Sequence, residues 1–230
     1  MIRLFLIPLA IAVITSIIMT RISLARTRIA LSKNSKVLQH PAIKAQTSRL
    51  AAVMDVEELT VLELNDDAVN GFADADGRIF LTKGFMHKFT TGAVSAEELA
   101  SVIAHELGHV AHGHMKQRMR DVTGHQTAMM MANIMLSRFI PFIGPWLMAR
   151  IAQAFMASTS RKNEFEADAW ASALLIRAGI GTEPQKSLFR KLGSLTGSDG
   201  LAIPAWLRSH PTTSDRIAAI EANEKRWLGQ

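Results

Sequence analysis

His105-Glu106-Leu107-Gly108-His109 forms an HExxH sequence, two histidines with a glutamate after the first. On an α-helix, residues four apart lie one above the other on the same face. Two imidazoles at that spacing can bind one zinc ion, and Glu106 then stands beside any water the ion carries. A hydrolytic zinc centre needs more than these three side chains. It needs a third ligand, a partner to orient the histidines, a platform for substrate and donors for a developing oxyanion.

The third ligand must come from a histidine or an acid, because the chain contains no cysteine. That excludes the deformylase type of HExxH site, which uses a thiolate. The extended metzincin pattern needs glycine at 112 and histidine at 115, where this chain has His112 and Met115. Downstream, Ser160-Arg161-Lys162-Asn163-Glu164-Phe165-Glu166-Ala167-Asp168 offers Glu164 and Asp168, four apart on one helix face. The spacing suits Glu164 as metal ligand and Asp168 as acceptor for the distal nitrogen of a ligand histidine. Glu166 projects from another face and reads as a solvated or paired side chain. Arg161 reads as a salt-bridging anchor for this helix. His112 reads as a polar neighbour one turn past the ligands, and His114 as a bystander. His40, His87 and His125 read as ordinary surface groups.

The elements that must position these residues follow from periodicity and punctuation. Pro41–Val53 has helical apolar spacing, and Thr60–Leu64 reads as a strand. Ala68–Ala73 and Arg78–Thr82 read as two strands joined by Asp74-Ala75-Asp76-Gly77, whose Asp-Gly is a hairpin signal. Lys83–Phe89 suits a short helix. Ser95, followed by Glu97 and Glu98, caps the long helix that carries HExxH. Further helices are expected over about Arg161–Ala178, Glu183–Leu195 and after His210-Pro211. Residues 126–157 are apolar but interrupted by Arg138, Pro141, Gly144, Pro145 and Arg150. They read as two core helices joined by a bend, or as a surface that touches membrane or apolar substrate.

Charge is unevenly spread along the 230 residues, whose formal net is +6. Residues 1–54 hold eight basic groups and no acid, whereas the rest of the chain has a formal net of −2. Basicity confined to one terminal flank fits a membrane surface, not a nucleic-acid groove. Leu4–Thr20 is uncharged between Arg3 and Arg21. As a helix it would reach roughly 26 Å, near the lower limit for spanning a bilayer core. A cleaved secretory signal is the alternative, although Ser23-Leu24-Ala25 makes a poor cleavage site. The domain reading is therefore a transmembrane anchor over 1–20, a basic juxtamembrane connector over 21–40 and a zinc-dependent domain over 41–230. The basic excess after the anchor places that domain in the cytoplasm by the positive-inside rule, with the extracytoplasmic side as the other possibility.

HELGHVAHGH at 105–114, SRKNEFEAD at 160–168, His210-Pro211 with Arg216, and the hairpin NGFADADGRIFLTKG at 70–84 occur together in this order. The chain thereby resembles the membrane-associated zinc metalloendopeptidases that include the HtpX heat-shock proteases and the CAAX prenyl endopeptidases. The resemblance covers about residues 41–225 and implies an α+β, mostly helical, zincin-like metalloprotease domain with a small β-sheet ahead of the active-site helix. It implies one Zn2+ per chain on His105, His109 and Glu164, with Glu106 as general base. It further implies that His210 and Arg216 stabilise the oxyanion, and that polypeptide substrates are cleaved in quality control of misfolded or membrane-associated proteins. Substrate would add a strand along Asn70, Gly71, Phe72 and Ala73. A non-catalytic, zinc-bound membrane adaptor on the same fold is the competing expectation.

Overall fold

A computed structural model of the chain describes residues 2–74, 76–114, 117, 144–192, 195, 206, 209–210 and 214–229, the side chains of 2–12, 16 and 144–159 excepted. The helices are α1 (Ile2–Lys33), α2 (Pro41–Met54), α3 (Lys83–Thr90), α4 (Ala96–Ala111), α5 (Gly144–Arg177), α6 (Glu183–Lys191) and α7 (Ser214–Leu228). The strands are β1 (Ser35–Val37), β2 (Val61–Leu64), β3 (Gly71–Ala73) and β4 (Ile79–Thr82). Two compact units result, Met1–Asn34 with Lys116–Thr159, and Ser35–Met115 with Ser160–Gln230.

In the first unit, α1 continues without a break through Pro8 and through the basic residues read as the start of a connector. Among the described residues, no helix is long and apolar enough to cross a membrane. Much of the expected anchor falls on side chains outside the described residues, as do His125 and most of the 126–157 surface.

The second unit carries a four-stranded sheet in the order β1-β2-β4-β3, with β2 and β4 parallel and the other two pairs antiparallel. Pairing begins at Ser35 opposite Leu64, so the first strand lies inside the segment read as a connector. The expected hairpin is present, but β3 is only three residues long. The reason is Thr82. Its hydroxyl donates to Ala68 O (2.5 Å) and its oxygen accepts from Asn70 N–H (3.0 Å), so at Asn70 only the carbonyl, bonded by the Thr82 amide (3.0 Å), keeps a main-chain partner on β4.

Helix α4 is the centre of this unit. Ser95 Oγ accepts from the Glu98 amide (3.1 Å) and Glu98 Oε2 accepts from the Ser95 amide (2.9 Å), a capping box that satisfies two donors otherwise left open. Beyond Glu97, every residue from Glu98 to His109 is buried. Helix α4 packs against β3, α2 and α6. Gln46 of α2 donates to Glu97 (2.9 Å), while Ser187 and Lys191 of α6 each reach Glu98 Oε1 at 2.7 Å. The Glu98 carboxyl is thus held below its usual value: burial alone would raise it, and the hydrogen bonds from Lys191, Ser187 and Ser95 outweigh that. A helix held at its N-terminus by two others is a rigid mount for the histidines at its far end.

Candidate metal centre

The two histidines of HExxH meet the downstream acids because α4 and α5 touch at Gly108. A Cβ there would lie 2.8 Å from the carbonyl oxygen of Ala167 and 3.0 Å from its Cα. No side chain fits between these two backbones. Glu164 and Asp168 flank Ala167 on the same helix, so the close approach delivers both to the histidine rings.

His105, His109, Glu164 and His210 each turn one ligand atom inward, all within 4.8 Å of one another, and all four residues are buried. His105 Nε2 stands 3.1 Å from His109 Nε2 and 3.3 Å from Glu164 Oε2, and His109 Nε2 stands 3.4 Å from Glu164 Oε1. Tetrahedral coordination with bonds of roughly 2.0–2.1 Å would separate ligand atoms by about 3.3–3.4 Å. The donor set and its spacing therefore fit a metal ion with nitrogen and oxygen ligands. His210 Nδ1 lies at a fourth corner, 3.3 Å from His105 Nε2 and 3.0 Å from Glu164 Oε2.

Asp168 lies against the first of these histidines. Its Oδ1 is 2.9 Å from His105 Nδ1, which leaves Nε2 of that ring free to face the donor cluster. Arg216 donates to Asp168 from Nε (2.6 Å) and Nη2 (2.8 Å), and its Nη1 lies 3.3 Å from Glu164 Oε2. Expected beside an oxyanion, Arg216 instead commits a fully buried guanidinium to these two acids. Planar bidentate pairing explains that choice of partner. Gln185, held by Ser172, reaches Asp168 Oδ1 from α6 at 3.4 Å.

The charges follow from this packing. Burial would raise the Glu164 carboxyl, but contacts with His105, His109 and His210 hold it far below the usual carboxylate range. Burial would lower His105, yet Asp168 and Glu164 push it up to about 9. Burial prevails at His109 and His114, both of which are lowered.

Glu106 is buried beside the cluster. Its Oε2 accepts from the Ala73 amide (3.1 Å), and its Oε1 lies 3.4 Å from Trp206 Nε1 and 3.5 Å from His210 Nε2. Ala73 pairs with Ile79 on β4, yet its N–H points to Glu106, so the free edge of β3 borders the cluster. The other residues of the expected substrate strand are more enclosed. Gly71 is buried, Phe72 stacks on Phe80 (centroids 5.1 Å apart), and the backbone of Asn70 is bonded to Thr82.

Some residues escaped the sequence reading. Trp206 is fully buried against His105 and His210, and the His210 amide donates to Trp206 O (2.8 Å). His114 is no bystander: its Nδ1 is 2.9 Å from His109 Nδ1 and its Nε2 is 3.1 Å from Glu166 Oε2. The only signal for it was the fourth histidine in HELGHVAHGH. His112 and His87 are exposed, as is Arg161, which makes no ion pair among the described residues. His40 is half-buried against Phe89 and its Nδ1 has no hydrogen-bond partner among the described residues, contrary to its reading as a surface group.

A profile of peptidase family M48 matches residues 37–224. The chain belongs to peptidase family M48. Among its relatives, the mitochondrial metalloendopeptidase OMA1 of Arabidopsis thaliana is 29% identical over 192 residues, covering 80% of this chain and 37% of that protein. A protease HtpX homologue of Chlorobium limicola is 25% identical over 244 residues, covering 86% of this chain and 79% of that protein. The crystal structure of S. mikatae Ste24p superposes with a TM-score of 0.60 at 17% identity, over 93% of this chain and 58% of the other, a likeness of fold. The chain spans about two fifths of the length of some curated relatives it matches. The HtpX resemblance read from the motifs agrees with this M48 membership.

Proposed function

We propose that this M48 chain is a zinc-dependent endopeptidase whose centre comprises His105, His109, Glu164 and Glu106. The observation that carries the reading is the inward-facing donor cluster with the Glu106 carboxylate beside it and outside the ligand set. Bound zinc would supply Lewis-acid activation of water and polarisation of the scissile carbonyl. His105, His109 and Glu164 would hold the ion, while Asp168 fixes the His105 ring and Arg216 holds Asp168 and Glu164 in place. Glu106, anchored through the Ala73 amide and Trp206, takes the proton of the attacking water and returns it to the leaving amine. His210 touches both Glu164 and Glu106 and is positioned to contact the reacting carbonyl.

A substrate backbone pairs along the free edge of β3 at Gly71–Ala73, a mode nearly blind to side chains and suited to misfolded polypeptides in quality control. The uncharged run Leu4–Thr20 and the basic residues after it support a membrane anchor with the protease domain in the cytoplasm. The decisive experiment is purification with metal analysis and a casein cleavage assay of wild type against Glu106→Gln. One zinc per chain, with cleavage lost only in the variant, supports the proposal. One zinc with no cleavage in either would leave the adaptor reading instead. No zinc would remove the basis for both.

A further inference from the structure

Each histidine of HExxH has a second ring nitrogen, and the two are served differently. His105 Nδ1 meets the Asp168 carboxylate directly (2.9 Å). His109 Nδ1 meets no acid among the described residues. It meets His114 Nδ1 at 2.9 Å, and the far nitrogen of His114 meets Glu166 Oε2 at 3.1 Å.

Proton counting gives this chain a direction. Two bare imidazole nitrogens 2.9 Å apart repel, so one of them must carry a hydrogen. His109 Nε2 faces His105 Nε2 and Glu164, and to bind a metal it must be bare. With Nε2 bare, the ring's proton is on Nδ1 and is donated to His114 Nδ1. His114, accepting there, carries its own proton on Nε2 and donates it to Glu166. Lys162 Nζ, 3.5 Å from Glu166 Oε1, completes the line.

The backbone is shaped to deliver His114. Helix α4 ends at Ala111, with the His112 amide still bonded to Gly108 O (3.1 Å). Gly113 then takes φ +66°, a left-handed conformation that L side chains rarely adopt. The chain turns there, and His114 is buried beside His109 while His112 stays exposed. Helical phase explains the acceptor. Glu166 lies two residues from Glu164, off the ligand face of α5, where it can meet a side chain arriving from the end of α4.

We propose that His114, backed by Glu166, is a positioning residue that fixes the tautomer and ring orientation of His109, as Asp168 does for His105. The inference rests on the proposed metal site but concerns ligand geometry, so it is read by metal affinity without reference to cleavage. Loss of an outer partner of this kind typically costs 10–100-fold in metal affinity.

The test is zinc titration of the full chain against a chromophoric chelator, with thermal melting of the metal-free proteins alongside. The variants are His114→Ala, His114→Asn, His114→Gln and Glu166→Ala. The Asn side chain can put an amide oxygen where Nδ1 stands, whereas Gln reaches towards the Nε2 position. The expected result is a 10–100-fold loss for His114→Ala and His114→Gln, and near wild-type affinity for His114→Asn. Glu166→Ala should show a smaller loss in the same direction. Wild-type affinity in His114→Ala, or an equal loss in His114→Asn and His114→Gln, overturns the proposal. If His114→Ala does not fold, the Asn and Gln pair decides alone. Absence of zinc binding in the wild type would instead defeat the proposed function.

Discussion

Gly108→Ala separates two opposite effects of one methyl group. On an isolated helix the change is favourable by about 1 kcal/mol, because alanine is the better helix former. Here the new carbon would lie 2.8 Å from Ala167 O and 3.0 Å from Ala167 Cα, about 0.6 and 0.4 Å short of the 3.4 Å of ordinary contact. Both obstacles are main chain, so no rotamer change relieves them. Overpacking of this kind costs about 1–3 kcal/mol. The net is about 0–2 kcal/mol of destabilisation, a fall in Tm of up to about 8 °C for a domain of this size. Metal binding should suffer more. Displacing α5 by half an ångström carries Glu164 and Asp168 away from His105 and His109, whereas metal–ligand distances tolerate only about 0.2 Å. Zinc affinity should fall on the order of 10–100-fold, the scale of lost ligand positioning. Ala167→Gly should not restore it, since the offending atoms belong to the backbone. Calorimetry and chelator competition on the two single variants and the double variant measure these quantities. Wild-type affinity with an unchanged or higher Tm in Gly108→Ala, or rescue by Ala167→Gly, would refute the account of how the two helices assemble the site.

Three further outcomes follow from the same contacts. Glu106→Gln should retain zinc at one per chain while cleavage drops by about 10²–10⁴, because the carboxylate is outside the ligand set yet moves the proton; metal analysis beside a cleavage assay checks it. Arg216→Ala should strand two buried acids at a cost of roughly 3–5 kcal/mol, and Arg216→Lys should recover only part of it, since a lysine cannot form the bidentate fork; thermal melting reads both. Glu98 has its folded-state carboxyl below the usual value, so its stabilising contribution is complete above the usual carboxylate range and is lost as pH falls through the folded value. Glu98→Gln should therefore flatten the acid limb of a Tm-against-pH curve; an unchanged limb would show that the contacts with Lys191, Ser187 and Ser95 are not coupled to folding.

What could be read without coordinates is what depends on neighbours in the chain. The Ser95 cap, the i,i+4 pairing of His105 with His109 and of Glu164 with Asp168, and the Asp-Gly turn between β3 and β4 are all set within a few residues. Those local rules placed the metal donors on helices and chose Glu164 over Glu166 by helical phase. They could not choose partners across space. Arg216 is 48 residues from Asp168, and only the packing of α7 against the site decided that its guanidinium binds the acids. Trp206 and His114 were missed because neither belongs to a periodic pattern. The first is buried by contacts with His105, His210 and Glu106, and the second is brought to His109 by a left-handed turn at Gly113. The sequence by itself determined which residues could bind a metal. Tertiary structure decided how each is held, because hydrogen bonds between distant elements depend on the angle and distance at which helices meet, here the backbone contact at Gly108.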